Sequence, residues 1–359
     1  MMPDNANAPS VAEFVPRKPD AMNNAAAAPA YAMAIAEPGG PDGFRRIAAP
    51  VADPGAGELL IRHTAIGVNF VDIYMRSGLY PWPVTRDLVT GAEAAGIIEK
   101  IGEGVSGFAP GDRVAYTLRN GAYATHRVID AAQVVAIPDG VSDETAAASV
   151  LKGLTARYLI HDSYAANAGD TVLVHAAAGG VGLILGQWLA QKGVKAIGTA
   201  GGPEKCALAK ANGYVDVIDY RTTDSVARIN SATDGLGVSA VFDSVGHDTV
   251  TKSLRCLRRH GTLVSFGQSS GPALDFQIND LATGSFRLVR PSVYHYTCDR
   301  TWLEQAAADL FSLVAVGTIR IAINQTWPLD RVAEAHKALE GRQTSGSTIL
   351  TVGRPDGEV

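Results

Sequence analysis

One stretch near the middle of the chain constrains its fold and its chemistry more than any other. Thr171–Val174 is a short apolar run, typical of a buried parallel strand, and small residues follow it as far as Gly182. The spacing Ala177-x-Gly179-x-x-Gly182 is the dinucleotide-binding pattern with alanine in place of its first glycine. Leu183–Ala190 then continues as an apolar helix, whose N-terminus offers free N–H groups to a pyrophosphate. The stretch therefore predicts a strand, a tight turn and a helix that bind a dinucleotide.

The composition of the 359 residues is that of a globular protein with ample material for a core. Hydrophobic residues make up 47% and charged residues 19%, and the length is typical of two domains. The net charge of −5 and the absence of basic runs interleaved with aromatics argue against nucleic-acid binding. No run reaches the ~20 apolar residues of a membrane span. Three widely spaced cysteines form neither a disulfide framework nor a metal cluster, which favours a reducing cytoplasm.

The pattern of the chain changes near Ser142, a candidate helix N-cap. Before Pro138 the sequence shows short β-type runs between Gly and Pro turns, whereas strand and helix signals alternate afterwards. This alternation is typical of a doubly wound parallel sheet, so the predicted class is α/β. The predicted parts are a flexible extension at 1–30, a β-rich domain at 31–152 completed by 296–359, and a parallel-sheet domain at 153–295.

Several short motifs follow one another in a specific order. They are Gly67–Tyr74, Arg76–Pro81, Gly91–Gly96, Leu151–Thr155, His175–Gly182, Asp243–Gly246 and Val264–Gly267. Through them the chain, from about Ala32 to Val352, resembles the zinc-free, zeta-crystallin-like quinone oxidoreductases of the medium-chain dehydrogenase/reductase superfamily. The resemblance implies a GroES-like substrate domain, a Rossmann cofactor domain and a cleft between them. It also implies NADPH-dependent reduction of a quinone without flavin or metal, by a homodimer joined through its cofactor domains.

The positions that carry zinc ligands in the metal-dependent branch of this superfamily are changed here. That branch has a cysteine in the segment matching Gly67–Tyr74 and a Gly-His-Glu segment downstream. The corresponding residues are Asn69 and Ala92, and neither alanine nor a neutral asparagine is a useful zinc ligand. The four closely spaced cysteines of the structural-zinc lobe are also absent from the sequence. Glu93 alone is expected to be structural, so we predict no metal.

The end of the second parallel strand indicates which nicotinamide cofactor binds. In NAD-selecting folds an acidic residue there accepts hydrogen bonds from the ribose hydroxyls. This strand instead ends in Gly198–Gly202 without an acid, and Lys205 and Tyr220 follow. The family resemblance places these two residues beside the adenosine 2′-phosphate, although a solvated lysine is the alternative for Lys205. The predicted cofactor is therefore NADPH.

Hydride transfer to a quinone requires alignment of two rings and stabilisation of charge on the quinone oxygen, rather than a catalytic triad. Asn69 is expected to donate a hydrogen bond to the substrate or the nicotinamide, or otherwise to satisfy the loop backbone. Tyr74 and Tyr80 are expected to stack on a flat substrate or to donate a proton, unless they are ordinary core residues. Asp72 is expected to orient a neighbour. These four side chains are the predicted catalytic set.

The predicted cofactor contacts come from the interdomain helix, the Gly-rich turn, the carboxyl ends of the parallel strands and two later loops. They are Asn69, Lys152, Thr155, Ala178, Gly179, Gly180, Val181, Gly182, Thr199, Lys205, Tyr220, Ser244, Gly246, Phe266, Gly267, Arg290, Ser292 and Arg342. His175, within the strand of the dinucleotide-binding pattern, is expected to be a buried structural residue.

Two other functions remain open from the sequence. The same architecture serves reduction of the C=C bond of α,β-unsaturated carbonyl compounds, and a non-catalytic NADPH-binding sensor or structural protein is a third class. For the homodimer, Phe286–Val289 is the candidate contact, because an unpaired edge strand invites pairing.

Overall fold

The computed structural model describes residues 29–353. The predicted extension at 1–30 lies outside the described residues except for its last two positions. The strands are β1 Tyr31–Ile35, β2 Phe44–Ala48, β3 Glu58–Val68, β4 Leu88–Val89, β5 Glu93–Ile101, β6 Arg113–Thr117, β7 His126–Asp130, β8 Val134–Ala136, β9 Thr171–Val174, β10 Lys195–Ala200, β11 Asp216–Asp219, β12 Val238–Asp243, β13 Leu257–Ser265, β14 Arg287–Val289, β15 Ile323–Pro328 and β16 Ser347–Thr351. The α-helices are α1 Phe70–Arg76, α2 Asp143–Ala147, α3 Val150–Tyr158, α4 Gly180–Gln191, α5 Pro203–Lys210, α6 Ser225–Ala232, α7 Val250–Cys256, α8 Val293–Thr297, α9 Arg300–Ala315 and α10 Val332–Glu340.

The central part of the chain is a six-stranded sheet with the order β11-β10-β9-β12-β13-β14. Every neighbouring pair is parallel, and α4 to α7 connect successive strands from β9 to β13. Val172, Leu173 and Val174 of the inner strand β9 are fully buried, which explains the continuous apolar run in the sequence. This order confirms the predicted doubly wound sheet.

The β-rich part contains two sheets. The larger has the order β15-β16-β3-β5-β6-β8, with β7 also paired to β3, and the smaller has the order β2-β1-β4. The long strand β3 pairs with β16, β5 and β7, and its residues Leu59, Ile61 and Ile66 lie in the core of this part. Its last residue, Val68, is followed directly by Asn69, the N-cap of α1. The position of β3 therefore fixes the start of α1 beside the parallel sheet.

The C-terminal elements divide between the two parts. β16 pairs with β3, β15 pairs with β16, and α10 packs into the same core. By contrast, α9 packs mainly on α3, where Gly153 is so close to Leu310 that a Cβ would overlap the leucine side chain. Among the C-terminal elements predicted to complete the first domain, α9 therefore contacts mainly the helix at the predicted boundary.

The boundary predicted between residues 152 and 153 falls inside α3, so this helix joins the two parts. Ser142 caps the preceding helix α2 as predicted, because its hydroxyl accepts a hydrogen bond from Thr145 N. Between residues 29 and 353 the longest apolar helices are too short or too polar to cross a bilayer.

Candidate functional site

A cavity of about 950 Å³ opens between the parallel sheet and the β-rich part. Its walls include the α1 turn, α3, the N-terminus of α4, the carboxyl ends of parallel strands and the loops before α8 and β16. Nearly all of the predicted site residues line it. They are Asn69, Tyr74, Tyr80, Lys152, Thr155, Ala178, Gly179, Gly180, Val181, Gly182, Thr199, Lys205, Tyr220, Ser244, Phe266, Gly267, Arg290, Ser292 and Arg342.

The Gly-rich turn forms the N-terminus of α4, at one wall of the cavity. Gly179 is the N-cap, and Ala176 before it has a left-handed backbone with φ 53°. A Cβ at Gly182 would lie 2.6 Å from the carbonyl oxygen of Ala177, so only glycine allows this close packing. His175 is buried, with its ring nitrogens on the hydroxyls of neighbouring side chains, as expected for a structural residue. The free N–H groups at this helix end can receive an anion.

Basic side chains meet at the end of the cavity beyond β10. Lys205 Nζ donates a hydrogen bond to the carbonyl oxygen of Arg342 at 2.7 Å. Burial, together with the charges of Arg221 and Arg342, lowers the pKa of Lys205. Tyr220 lines the same end and is 45% exposed. The positive charges at this end repel one another, and a bound anion such as a phosphate would offset that repulsion. An anion would therefore be stabilised at this end of the cavity.

Arg221 is a lining residue that sequence reasoning missed. It follows Tyr220 directly, and a Cβ at Gly202 would lie 3.2 Å from its guanidinium nitrogen. In a turn after a strand, sequence alone does not tell which of two adjacent side chains faces a cleft. The cleft-lining Tyr158 and Tyr294 were also missed, because each belongs to an apolar helix pattern that looks like core.

A buried ion pair lies at the inner wall of the cavity, where α3 meets β5. Glu93 Oε1 accepts from Lys152 Nζ and, at 3.0 Å, from Asn69 Nδ2. Glu93 Oε2 accepts from Leu151 N at 2.7 Å. The exposed fraction of Lys152 is 5% and that of Glu93 is 0%. The carboxylate therefore has its charge balanced and both oxygens hydrogen-bonded.

These residues do not fit a zinc ion. The Asn69 side-chain nitrogen is a donor, and the carboxylate that accepts from it, that of Glu93, is already paired with an ammonium. Within residues 29–353 no three His, Cys, Asp or Glu side chains are grouped so that they would hold a metal. The structural role expected for Glu93 agrees with these contacts.

Tyr74 and Tyr80 lie together on the β-rich side of the cavity, with ring centroids 5.3 Å apart. Tyr74 Oη accepts a hydrogen bond from Gln268 N at 3.1 Å, which links α1 to the loop after β13. Burial raises the pKa of the Tyr74 phenol, so it is a neutral donor at ordinary pH. The pair offers a flat aromatic surface and a hydroxyl to a ligand in the cavity.

Asp72 is buried and does not line the cavity. Its Oδ2 accepts from Asn69 N and from Tyr123 Oη, each at 2.8 Å. Burial raises the pKa of Asp72 to about 7. The structure therefore agrees with an orienting role for Asp72 toward Asn69 rather than with direct contact to a ligand in the cavity.

Beyond Asp72, a buried chain of polar contacts continues from Tyr123 to His336 and Arg76. His336 Nε2 lies 2.9 Å from Tyr123 Oη, and Arg76 Nη1 lies 3.4 Å from His336 Nδ1. Burial, and to a smaller extent the charge of Arg76, lowers the pKa of His336 to about 3. This chain anchors α1 to α10.

Gly246 is the second predicted site residue that does not line the large cavity. Its φ is +92°, and a Cβ there would lie 2.5 Å from the carbonyl oxygen of Gly271. Its role in this structure is to shape the turn after β12, where Asp243 Oδ1 accepts from its N–H at 3.1 Å.

Comparison with known proteins identifies the two parts of the chain. A model of the alcohol dehydrogenase GroES-like domain matches residues 55–139, and a model named zinc-binding dehydrogenase matches residues 180–311. Quinone oxidoreductase 1 of Escherichia coli is 43% identical over 316 residues, covering 87% of this chain and 96% of the relative. The 2-haloacrylate reductase of a Burkholderia species is 39% identical over 327 residues, covering 89% and 98%.

Solved structures agree with these sequence matches. The crystal structure of Escherichia coli quinone oxidoreductase complexed with NADPH superimposes with a TM-score of 0.85 at 41% identity, over 89% of this chain and 99% of that one. The predicted GroES-like and Rossmann architecture is thereby confirmed. The chain belongs to the quinone oxidoreductase family of the medium-chain dehydrogenase/reductase superfamily.

Proposed function

We propose that this protein transfers hydride from NADPH to a quinone in the cavity between its two parts. The proposal depends mainly on one observation: positively charged side chains and aromatic side chains lie at opposite ends of that cavity. Its far end collects the cations Lys205, Arg221 and Arg342, and its near end presents the aromatic pair Tyr74 and Tyr80. The relatives named quinone oxidoreductase, and the NADPH complex of one of them, support this reading.

When bound, NADPH supplies the hydride, and the protein residues bind and orient. The turn at residues 178–182, with its free helical N–H groups, would hold the pyrophosphate. Lys205, Tyr220 and Arg342 would hold the 2′-phosphate, with Arg221 added to the predicted set. The other predicted cofactor contacts that line the cavity would hold the ribose and nicotinamide. Gly246 would act through the shape of its turn.

On the acceptor side, Tyr74 and Tyr80 would stack on the quinone and exclude water from it. Asn69 would donate the second N–H of its side-chain amide, since the first N–H is given to Glu93. Asp72 would position Asn69 from behind. None of these groups is required to form a covalent bond.

A single-turnover experiment tests this assignment. Protein mixed with an equal amount of NADPH should lose the reduced-nicotinamide absorbance rapidly when a para-quinone is added, with one hydroquinone formed per NADPH. NADPH that binds but remains reduced would contradict the proposal and would support the non-catalytic sensor instead.

Reduction of an activated C=C bond is the second candidate, favoured by the similarity to the 2-haloacrylate reductase. Hydride transfer to a carbon conjugated with a carbonyl group uses the same alignment and the same oxygen stabilisation. An α,β-unsaturated carbonyl compound offered in the same single-turnover experiment separates the two functions.

We further propose a homodimer formed through β14, residues Arg287–Val289. It is the last strand of the parallel sheet, and Leu288 on it is 37% exposed. The nearby Leu274 and Ile278 are 81% and 79% exposed, so a second copy would cover an apolar surface. Leu288→Lys should then shift the mass measured by light scattering from dimer to monomer, and an unchanged dimer would contradict the proposal.

The predicted domain ranges and the cytoplasmic compartment stay predictions. Limited proteolysis, followed by mass spectrometry of the fragments, tests the ranges 31–152 with 296–359 and 153–295.

A further inference from the structure

The two charges of the Glu93–Lys152 ion pair lie at different depths in the cavity wall. Glu93 accepts hydrogen bonds from three donors, namely Lys152 Nζ, Asn69 Nδ2 and Leu151 N. Lys152 and Asn69 line the cavity, whereas the carboxylate lies behind them. The pair thus presents a fixed positive charge to the cavity and keeps its negative charge away from it.

Two glycines make room for this pair. A Cβ at Gly67 would overlap the Glu93 carboxylate, and a Cβ at Gly180 would lie 2.6 Å from Lys152 Cδ and 2.9 Å from Cε. Neither glycine has a positive φ, so their small size rather than backbone freedom is what the structure uses. Gly180 belongs to the dinucleotide turn, and its missing side chain lets the lysine stem cross the N-terminus of α4.

The Lys152 ammonium still has donors to give. An ammonium carries three N–H bonds, and within the described residues its hydrogen-bond acceptor is the Glu93 carboxylate. Two N–H bonds are therefore free for a ligand in the cavity. Tyr74 is another donor on the acceptor side: its Oη accepts from Gln268 N, and burial raises the pKa of its phenol, which makes it the poorer source of a proton.

We propose that Lys152 donates the proton that completes quinone reduction, and that Glu93 is its positioning residue. The proposal rests on the proposed function. Hydride addition breaks one quinone π bond and leaves a hydroquinone monoanion; an Nζ–H bond then breaks as the oxyanion forms its O–H bond. The products are a neutral hydroquinone and a neutral lysine, which regains a proton from water. Before the transfer, the ammonium stabilises the oxyanion electrostatically.

The test compares two para-quinones that differ in the acidity of the hydroquinone formed. Lys152→Met should lower kcat by about 100-fold or more with a methyl-substituted quinone, whose hydroquinone anion needs a proton. It should lower kcat far less with a tetrahalogenated quinone, whose hydroquinone anion is stable without one. The solvent deuterium isotope effect on the first reaction should change in Lys152→Met and should stay changed in Lys152→Arg, because a guanidinium keeps its charge but does not give up its proton. Glu93→Gln should show the same acceptor dependence with a smaller loss.

Removing Lys152 alone leaves Glu93 unpaired and can impair folding. The double variant Lys152→Met/Glu93→Gln is nearly isosteric and uncharged, and it carries the same prediction. The matched control is Lys100→Met, which breaks the exposed Lys100–Asp53 ion pair and should leave both rates unchanged.

The outcomes distinguish a failure of the proton role of Lys152 from a failure of the proposed function. If the native enzyme reduces both quinones and the variants lose the same factor with each, at an unchanged solvent isotope effect, the proton role of Lys152 is wrong. If the native enzyme reduces neither quinone, the proposed function itself is wrong.

Discussion

Replacing Lys205 with alanine should weaken the binding of NADPH far more than the binding of NADH. The ammonium lies beside Arg221 and Arg342, and burial together with these two charges lowers its pKa. In the free enzyme it donates to the carbonyl oxygen of Arg342. A 2′-phosphate would replace this neutral acceptor with a charged one and would relieve the repulsion among the cations.

The size of the effect follows from one charge-assisted hydrogen bond. Such a bond contributes about 1.5–3 kcal/mol. Lys205 is partly exposed and two arginines remain in the variant, so the lower end of that range, about 1.5–2 kcal/mol, applies. At about 1.4 kcal/mol per factor of ten, KM for NADPH should rise by about 10- to 30-fold. KM for NADH should change by less than about 2-fold, because NADH has no group at this position.

Initial rates with each nucleotide at a fixed quinone concentration and low ionic strength measure this difference. Lys210→Ala is the matched control, since Lys210 lies on the same helix α5 and is exposed. Higher salt should reduce the NADPH preference of the native enzyme more than that of Lys205→Ala. Equal changes for NADPH and NADH in Lys205→Ala would refute the phosphate-binding role.

Other perturbations test separate parts of the structure. Gly67→Ala should lower the free energy of unfolding by about 1–3 kcal/mol, because the added Cβ would overlap buried neighbours. Gly40→Ala should leave the free energy of unfolding unchanged, since nothing lies within 4 Å of its added Cβ. Urea denaturation measures both variants, and equal effects would contradict the packing argument. Asn69→Ala and Tyr80→Phe should each lower kcat by only about 2- to 15-fold, which is the equivalent of one uncharged hydrogen bond. A loss of many orders of magnitude in a variant that still folds would contradict this and would identify an obligatory proton donor. Burial lowers the pKa of His336 to about 3, so between pH 6.5 and 3 the unfolded chain binds a proton that the folded chain does not. Folding stability from this group is therefore present above pH 6.5 and falls by about 1.4 kcal/mol per pH unit below it. His336→Gln should flatten the pH dependence of stability between pH 7 and 5, and an unchanged slope would show that His336 is not the group responsible.

Local patterns predicted the parallel sheet, and most of the site residues predicted from them line the cavity. Thr171–Gly182 specifies its own strand, turn and helix, and the absence of an acid after β10 can be read directly from the sequence. Lys205 and Tyr220 each lie just after a predicted strand, where the carboxyl ends of the sheet meet.

Long-range pairing was not predictable in the same way. Glu93 and Lys152 are 59 residues apart, and nothing in either local sequence indicates that they form an ion pair. Asp72 lies on the predicted turn, but its side chain points to Tyr123 on the side away from the cavity. Arg221 follows Tyr220 directly, and the sequence does not indicate that both of these neighbours line the cavity. Nor does the local sequence of α9 indicate that this helix packs on α3.

The most direct test of the account is NADPH oxidation by the purified protein with a para-quinone, an ortho-quinone and an enone offered in parallel, with and without a chelator. We expect fast turnover of the quinones, little turnover of the enone, and no effect of the chelator. Turnover of the enone alone would move the function to alkene reduction while the fold and cofactor remain. Loss of quinone turnover with the chelator, restored by added zinc, would contradict the metal-free site built from Asn69, Glu93 and Lys152.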